Sequence, residues 1–335
     1  MMMIVVWSTN NVGLVHGNGI AEEEAEQFSA MYVFGDSLTD NGNNNYLVNS
    51  LAKANYIPYG VDYYAGPTGR FCNGGTIADF LGDLVGLPEI PPYASPFATG
   101  TRILKGVNYA SAAAGILEET GQNLGDRFSL NKQVQNFQNT LNALKRQLGE
   151  KDLSRHLAKS LVVFVLGSND YINNYLALQG FGLRKFLLAG IGPLGCIPSQ
   201  LATGLAPPGE CVGFTNDYVS MFNVQLWSMV DRLNANSSSG AIYVYGNTFG
   251  AFYDIINNPG TYGFSVADRG CCGIGRNKGQ ITCLPFSIPC LNRDQYVFWD
   301  AFHPTQAVNK ILAQTAYSGS PSDCYPINVK QMAQI

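Results

Sequence analysis

Ser37 stands between an aspartate and a leucine in "FGDSLTDNGNNN", directly after the apolar run Met31–Gly35. A serine hydroxyl is a weak nucleophile unless a base takes its proton, and histidine is the usual base near neutral pH. The chain has three histidines: His16 near the start, His156 in the polar "SRHLAK" and His303 in "FWDAFHPTQ". Setting aside His16 with the N-terminal leader and His156 as a solvent-facing residue leaves His303. Asp300 lies three residues before it. In a turn preceding a helix its carboxylate can fold back to the imidazole Nδ1, fix the tautomer and stabilise the imidazolium. Thr305 is placed to N-cap the helix "QAVNKILAQ". Alone, an Asp-x-x-His pair is a weak motif that a polar loop can hold by chance.

Acyl transfer also needs donors aimed at the developing oxyanion, commonly backbone N–H groups and a side-chain amide. The Ser37 N–H, the Gly115 N–H in "ASAAAG" and the Asn169 amide in "GSND" form the available set. Singly, Gly115 reads as a tight turn and Asn169 as a strand-end cap.

These residues need a frame. Short β-branched or aromatic runs at Met31–Gly35, Gly106–Tyr109, Leu161–Leu166, Lys185–Ile191 and Ala241–Tyr245 read as five strands, each bounded by Gly, Asn or Ser. Helical stripes separate several of them: Ile77, Phe80, Leu81, Leu84 and Val85; Leu130 through Leu148 in steps of four and three; Val219 through Leu233. Alternation of strands and helices predicts an α/β domain in three layers around a mostly parallel sheet. Ligand sites in such sheets lie beyond the carboxyl ends of the strands, which is where Ser37, Asn169 and Gly115 would converge. No linker divides the chain, so 28–335 is expected as one domain after a leader over 1–27.

With 335 residues, 46% of them apolar and 13% charged, the chain can bury a large core. A net charge of −4 and the lack of a Lys/Arg run argue against nucleic acid or an acidic substrate as partner. No apolar run reaches the roughly 20 residues a membrane span needs. The beginning resembles a clipped secretory leader without a basic n-region. Eight cysteines, Cys72, Cys196, Cys211, Cys271, Cys272, Cys283, Cys290 and Cys324, lie mostly in Pro/Gly-rich loops, as disulfides of an oxidising compartment do. Zinc is disfavoured, with no C-x₂-C or His pair. Loop proximity suggests Cys196 with Cys211, and Cys271 or Cys272 with Cys283 or Cys290. Asn236 opens an "NSS" sequon that suits a glycosylated loop or a bare turn.

The stretches "FGDSLTDNGNNN", "GRFCNGGTIADFLG", "VNYASAAAG", "FVLGSNDYINNY", "GIGPLGC" and "YVFWDAFHPT" resemble, in that order, the GDSL esterases and lipases of plants, within the SGNH hydrolases. The resemblance runs from about Phe28 onward. It implies a flavodoxin-like three-layer α/β/α domain with a five-stranded parallel sheet. It also implies Ser37 as nucleophile, His303 as base, Asp300 as its orienting acid, and Ser37 N–H, Gly115 N–H and the Asn169 side chain as oxyanion donors. Such proteins hydrolyse esters of acyl lipids, acetylated sugars or small acyl groups without metal or organic cofactor, and many are secreted. A monomer acting on a small-molecule, lipid or acylated-carbohydrate ester is expected.

One stretch departs from the pattern. Residues 167–184, between two expected parallel strands, include the "GSND" loop and leave room for at best a two-turn helix, where a parallel crossover normally carries a covering helix. Similar plant sequences are several tens of residues longer here, so a deletion is expected between residues 170 and 185. It would bare several hundred Å² of sheet, on the order of ten kcal/mol at about 25 cal/mol per Å². The alternative function is then a secreted non-catalytic relative that binds wall polysaccharide or lipid, with Tyr56, Tyr59, Tyr63, Tyr64 and Phe71 facing sugar or, more simply, packing their own loop. An intracellular thioesterase or peptidase of the same superfamily is a third reading, weakened by the cysteines.

Overall fold

The computed structural model describes residues 27–115, 117–166, 180–235 and 240–335. Five parallel strands form the sheet: β1 (Met31–Gly35), β2 (Gly106–Asn108), β3 (Leu161–Val165), β4 (Lys185–Ala189) and β5 (Ile242–Gly246). Their order is β2-β1-β3-β4-β5, extended by a sixth, antiparallel strand of two residues, Cys324–Tyr325, beside β5. A parallel pair, Val266–Gly270 with Tyr296–Phe298, stands apart. Its first strand, "VADRG", is charged and partly exposed, and no apolar run announces it. Three expected strands end earlier, and β5 is displaced by one residue. At these ends the chain turns into the site loops while still hydrogen bonding, as where the Tyr109 N–H donates to Val33 O at 2.8 Å.

Both faces are covered. On one side α1 (Ile77–Leu84), the late helix Gln306–Ser318 and the C-terminal turn Val329–Ala333 pack on Met31, Val33, Val163 and Leu187. Thr76 caps α1 in a reciprocal capping box with Asp79. On the other side lie α2 (Leu130–Ala158), kinked at Gly149 with φ 75°, and the helix Gly213–Ala235. The apolar stripes read from the sequence are the buried faces of these helices, with Phe137, Leu144, Leu226 and Val230 meeting Tyr32, Phe34, Phe164 and Phe186.

The shortened connection between β3 and β4 does not bare the sheet where exposure was expected. Phe164, Phe186 and Leu188 are buried, sharing a cluster with side chains of both long helices and with Phe181 and Leu183, which lead into β4. Residues 167–179 themselves, Asn169 included, lie outside the described residues, as do the leader and Asn236.

The disulfides are Cys196–Cys211, Cys271–Cys290 and Cys272–Cys283, choosing one of the pairings that loop proximity left open. Cys72 and Cys324 are free and buried. Among the described residues no helix is long and apolar enough to cross a membrane.

Candidate active site

The register that pairs Gly35 with Val165 brings the end of β1 beside the end of β3. The chain then turns tightly: Asp36 N–H donates to Val165 O, Leu38 N–H to Asp36 Oδ1, and Asp40 N–H to Asp36 O. A side chain on Gly35 would strike Val165 O at 2.7 Å and Thr39 Oγ1 at 2.6 Å, so only glycine lets the strands close here. Gln133 of α2 clamps the same residue, accepting from Gly35 N–H at 3.0 Å and donating to Gly35 O at 2.9 Å.

The polar residues after Ser37 hold this turn. Asp40, buried, accepts from the N–H groups of Gly42, Asn43 and Ala112. Asn43 donates to Asn108 O and Ala110 O, and Asn44 to Ala112 O. "TDNGNNN" is thus a hydrogen-bonded plug tying the end of β1 to the loop after β2, an economical way to satisfy a buried turn. Burial pushes the Asp40 carboxyl up to about 6, against the pull of its N–H donors. Asp36 is likewise raised to about 6 by burial, opposed by Leu38 N–H and by the charge of His303.

His303 arrives from the other end of the sequence. The strand Tyr296–Phe298 leads into a closed turn in which Trp299 N–H donates to His303 O. His303 Nε2 stands 2.8 Å from Ser37 Oγ, and its Nδ1 is 2.9 and 3.0 Å from the two oxygens of Asp300. Asp300 is wholly buried and also accepts from the N–H groups of Phe302 and His303. Burial alone would raise its carboxyl. The charge of His303 and the hydrogen bonds from His303, Tyr59 and Phe302 outweigh that and hold it below the ordinary carboxylate range. The phenol of Tyr59 supplies the shortest of these, 2.6 Å to Oδ2.

Thr305 occupies the N-cap position, but its hydroxyl donates to Tyr296 O, so it ties the turn to the preceding strand and does not itself cap the helix. The helix is held instead by "CNGG": Gln306 N–H donates to Asn73 Oδ1, and Asn309 to Gly75 O. His156 is half-buried, near Tyr32 OH, and not solvent-facing as its polar neighbours suggest; burial lowers its pKa, with Lys105 adding to the effect.

Beside the serine lies an apolar cavity of about 270 Å³, lined by Leu38, Val165, Ile191, Phe252 and Phe302 and also by Asp36 and Gly115. Gly115 therefore stands on the same rim as the turn that carries Ser37. The aromatic residues of the long loop mostly pack: Tyr59 against Trp299, Phe71 with ring centroid 5.2 Å from His303, and Tyr63 under the Arg70 guanidinium. Among the described residues no cluster of His, Cys, Asp or Glu could hold a metal ion.

Serine, imidazole and carboxylate in hydrogen-bonded sequence at the carboxyl edge of a parallel α/β sheet define the serine-hydrolase class. A family model described as GDSL-like lipase/acylhydrolase matches residues 31–181 and 174–316. The GDSL esterase/lipase At5g08460 of Arabidopsis thaliana is 53% identical over 366 aligned positions covering 100% of this chain and 94% of the relative. At1g71250 of the same plant is 54% identical, covering 90% of this chain and 88% of the relative, and GDSL esterase/lipase 7 is 46% identical, covering 95% and 96%. The chain belongs to the GDSL esterase/lipase family of the SGNH hydrolases and is a serine hydrolase of ester bonds. The departure from the pattern is visible here too. The family match falls into two segments that overlap at residues 174–181, and the 366 aligned positions exceed the 335 residues of the chain by 31 (366 less 335), the least number the relative has and this chain lacks.

Proposed function

We propose that the chain cleaves carboxylic esters through an acyl-enzyme in which Ser37 is the nucleophile, His303 the general base and acid, and Asp300 the residue that orients and charges the imidazole. The observation that carries this is the unbroken run of contacts from Ser37 Oγ to His303 Nε2 and from His303 Nδ1 to Asp300. In this reading Oγ attacks the carbonyl carbon as its proton passes to Nε2. Collapse of the tetrahedral intermediate breaks the bond to the alcohol oxygen, which takes that proton. A water then attacks the acyl-serine by the same route and releases the acid.

The N–H groups of Ser37 and Gly115 and the amide of Asn169 receive the oxyanion. In support, Gly115 borders the cavity next to the serine turn, and the "GSND" stretch lies within the family match. The apolar lining of that cavity favours an ester with a hydrocarbon acyl group, of a lipid or an acylated sugar. Three disulfides favour an extracellular site of action for a monomeric protein.

Ser37→Ala is expected to abolish both turnover of p-nitrophenyl acetate and labelling by a fluorophosphonate probe. Retention of either would remove Ser37 from the mechanism. Asn169→Ala should lower kcat by roughly 10²–10³. Recovery of the tagged full chain from cytosol alone would rule out secretion.

A further inference from the structure

The loop between the two clustered disulfides presents apolar side chains to solvent in a way the catalytic site does not explain. From Gln280 to Asn292 no residue is charged. Within that stretch Phe286, Ile288 and Leu291 are 88%, 89% and 90% exposed. Leu284 and, from the facing loop, Ile57 are also exposed, and Phe286 N–H donates to Ile57 O. Exposed apolar residues scattered singly need no explanation, but five in one loop system do.

The loop is built to hold them out. Cys271–Cys290 and Cys272–Cys283 staple both sides, Cys290 N–H donates to Cys271 O, and Tyr56 OH donates to Cys283 O. Phe286 sits at φ 62°, a left-handed conformation that a bulky residue rarely adopts. Hydrophobic collapse would draw these side chains inward, and the staples prevent it. The same staples join the loop to the candidate site, because Cys271 N–H donates to Phe298 O and Cys272 N–H to Trp299 O, just before Asp300.

We propose that the loop Gln280–Asn292 is an interfacial anchor that inserts Phe286, Ile288 and Leu291 into the surface of a neutral lipid phase and so sets the catalytic site against it. Two observations favour lipid over another protein. Three side chains of about 150–200 Å² each fall short of the roughly 800 Å² per partner that a stable protein interface needs. The stretch itself also carries no charge to give a protein contact its register, and its flanking cations Lys278 and Arg293 are engaged with Cys271 O and Asp62. The absence of basic residues within it points to a neutral surface, since anionic membranes are recognised by Lys and Arg clusters. The proposal leans on the ester-hydrolase reading only for its purpose, because lipid binding can be read without turnover.

The test is co-sedimentation of the full chain with phosphatidylcholine vesicles, alone or enriched in phosphatidylserine, with sedimentation velocity on the free protein. Wild type should bind phosphatidylcholine, with no gain from phosphatidylserine. Phe286→Asn/Ile288→Ser/Leu291→Ser should bind on the order of 100-fold more weakly, at unchanged Tm and unchanged turnover of soluble p-nitrophenyl acetate. Asparagine is chosen at 286 because it tolerates the left-handed backbone. Should the triple variant misfold, Ile288→Lys alone carries the comparison. The proposal is overturned if wild type ignores vesicles, if the folded variant binds equally well, if binding requires phosphatidylserine, or if wild type is a dimer that the substitutions dissociate. Esterase activity surviving Ser37→Ala would overturn the catalytic reading and leave this result standing.

Discussion

Tyr59 reaches across 241 positions of sequence to donate a 2.6 Å hydrogen bond to Oδ2 of Asp300. The phenol is buried, wedged against Trp299 and Tyr56, and burial together with the Asp300 charge keeps it a proton donor by pushing its pKa far up. A hydrogen bond to a charged group is worth about 1.5–3 kcal/mol. Tyr59→Phe keeps the packing and removes only the donor. Without it the Asp300 charge is less screened and holds the imidazolium more tightly, so the acid limb of the kcat/KM profile should move to higher pH while kcat at neutral pH falls roughly three- to thirtyfold. An unmoved acid limb with a lowered Tm would reduce Tyr59 to a packing residue.

Why Tyr59 escapes the sequence while Asp300 does not is a matter of chemistry against distance. A serine that needs a base, with three histidines to choose from, leaves little freedom, and the local spacing of Asp300 and His303 fits a turn. Tyr59 sits in a run of tyrosines, and nothing local distinguishes the one whose hydroxyl is aimed at a carboxylate. Gln133 is hidden in the same way, a polar residue on an otherwise legible helix that clamps Gly35. The parallel strands were legible where they are largely apolar runs, β2 with Gly-Val-Asn being the weakest of the five. The strand Val266–Gly270 was not, because it packs at the edge with charged side chains.

Gln133 offers a second test. It is fully buried and meets both backbone groups of Gly35 and Phe128 O. Gln133→Leu takes the partner from Gly35 N–H and Phe128 O, while Gly35 O keeps the Ser111 N–H, at about 1–3 kcal/mol for each group left unsatisfied. A Tm loss of several °C is expected, with weaker fluorophosphonate labelling at Ser37, two residues beyond the clamp. Full labelling at an unchanged Tm would mean that the strand end is held by other contacts.

The Cys272–Cys283 pair closes a loop of 11 residues beside Trp299. Loop-closure entropy for so short a span is worth about 2–3 kcal/mol. Replacing both cysteines by serine should lower Tm by several °C and reduce activity more than the corresponding change at Cys196–Cys211, because the Cys272 N–H itself donates to Trp299 O, next to Asp300, whereas Cys196 reaches the turn only through Ser199. Equal activity losses in the two variants would refute that link.

Asp40 carries a pH signature. Its folded-state pKa, raised by burial to about 6, lies above the ordinary 3.8. A raised carboxylate contributes stability that is fully present below its unfolded value and lost as pH rises through the folded one, here between about pH 3.8 and 6. The shift corresponds to about 3 kcal/mol. Asp40→Asn removes this titration while disturbing the N–H donors at every pH. The destabilisation it causes should therefore be larger at pH 4 than at pH 8, by up to that amount. Denaturation midpoints that differ equally at both pH values would show that the three N–H donors cancel the cost of burial.

The missing crossover gives the last prediction. At least 31 positions of the relative have no counterpart, and the family match is split into two segments that overlap at 174–181. Because Phe164, Phe186 and Leu188 stay buried, the cost of the loss falls well below that of a bare sheet. What is lost is the apolar face of the absent segment itself, which a complete chain would add to the core on the side of α2 and the helix Gly213–Ala235, where right-handed crossovers from β3 to β4 must run. A chimera carrying the crossover of At5g08460 between residues 170 and 185 should melt several °C higher, at about 2–4 °C per kcal/mol for a domain somewhat smaller than this one. If Asn169 is an oxyanion donor, its loop is then better supported, and kcat should rise with Tm. A chimera no more stable and no more active than the natural chain would show that the short connection suffices for both.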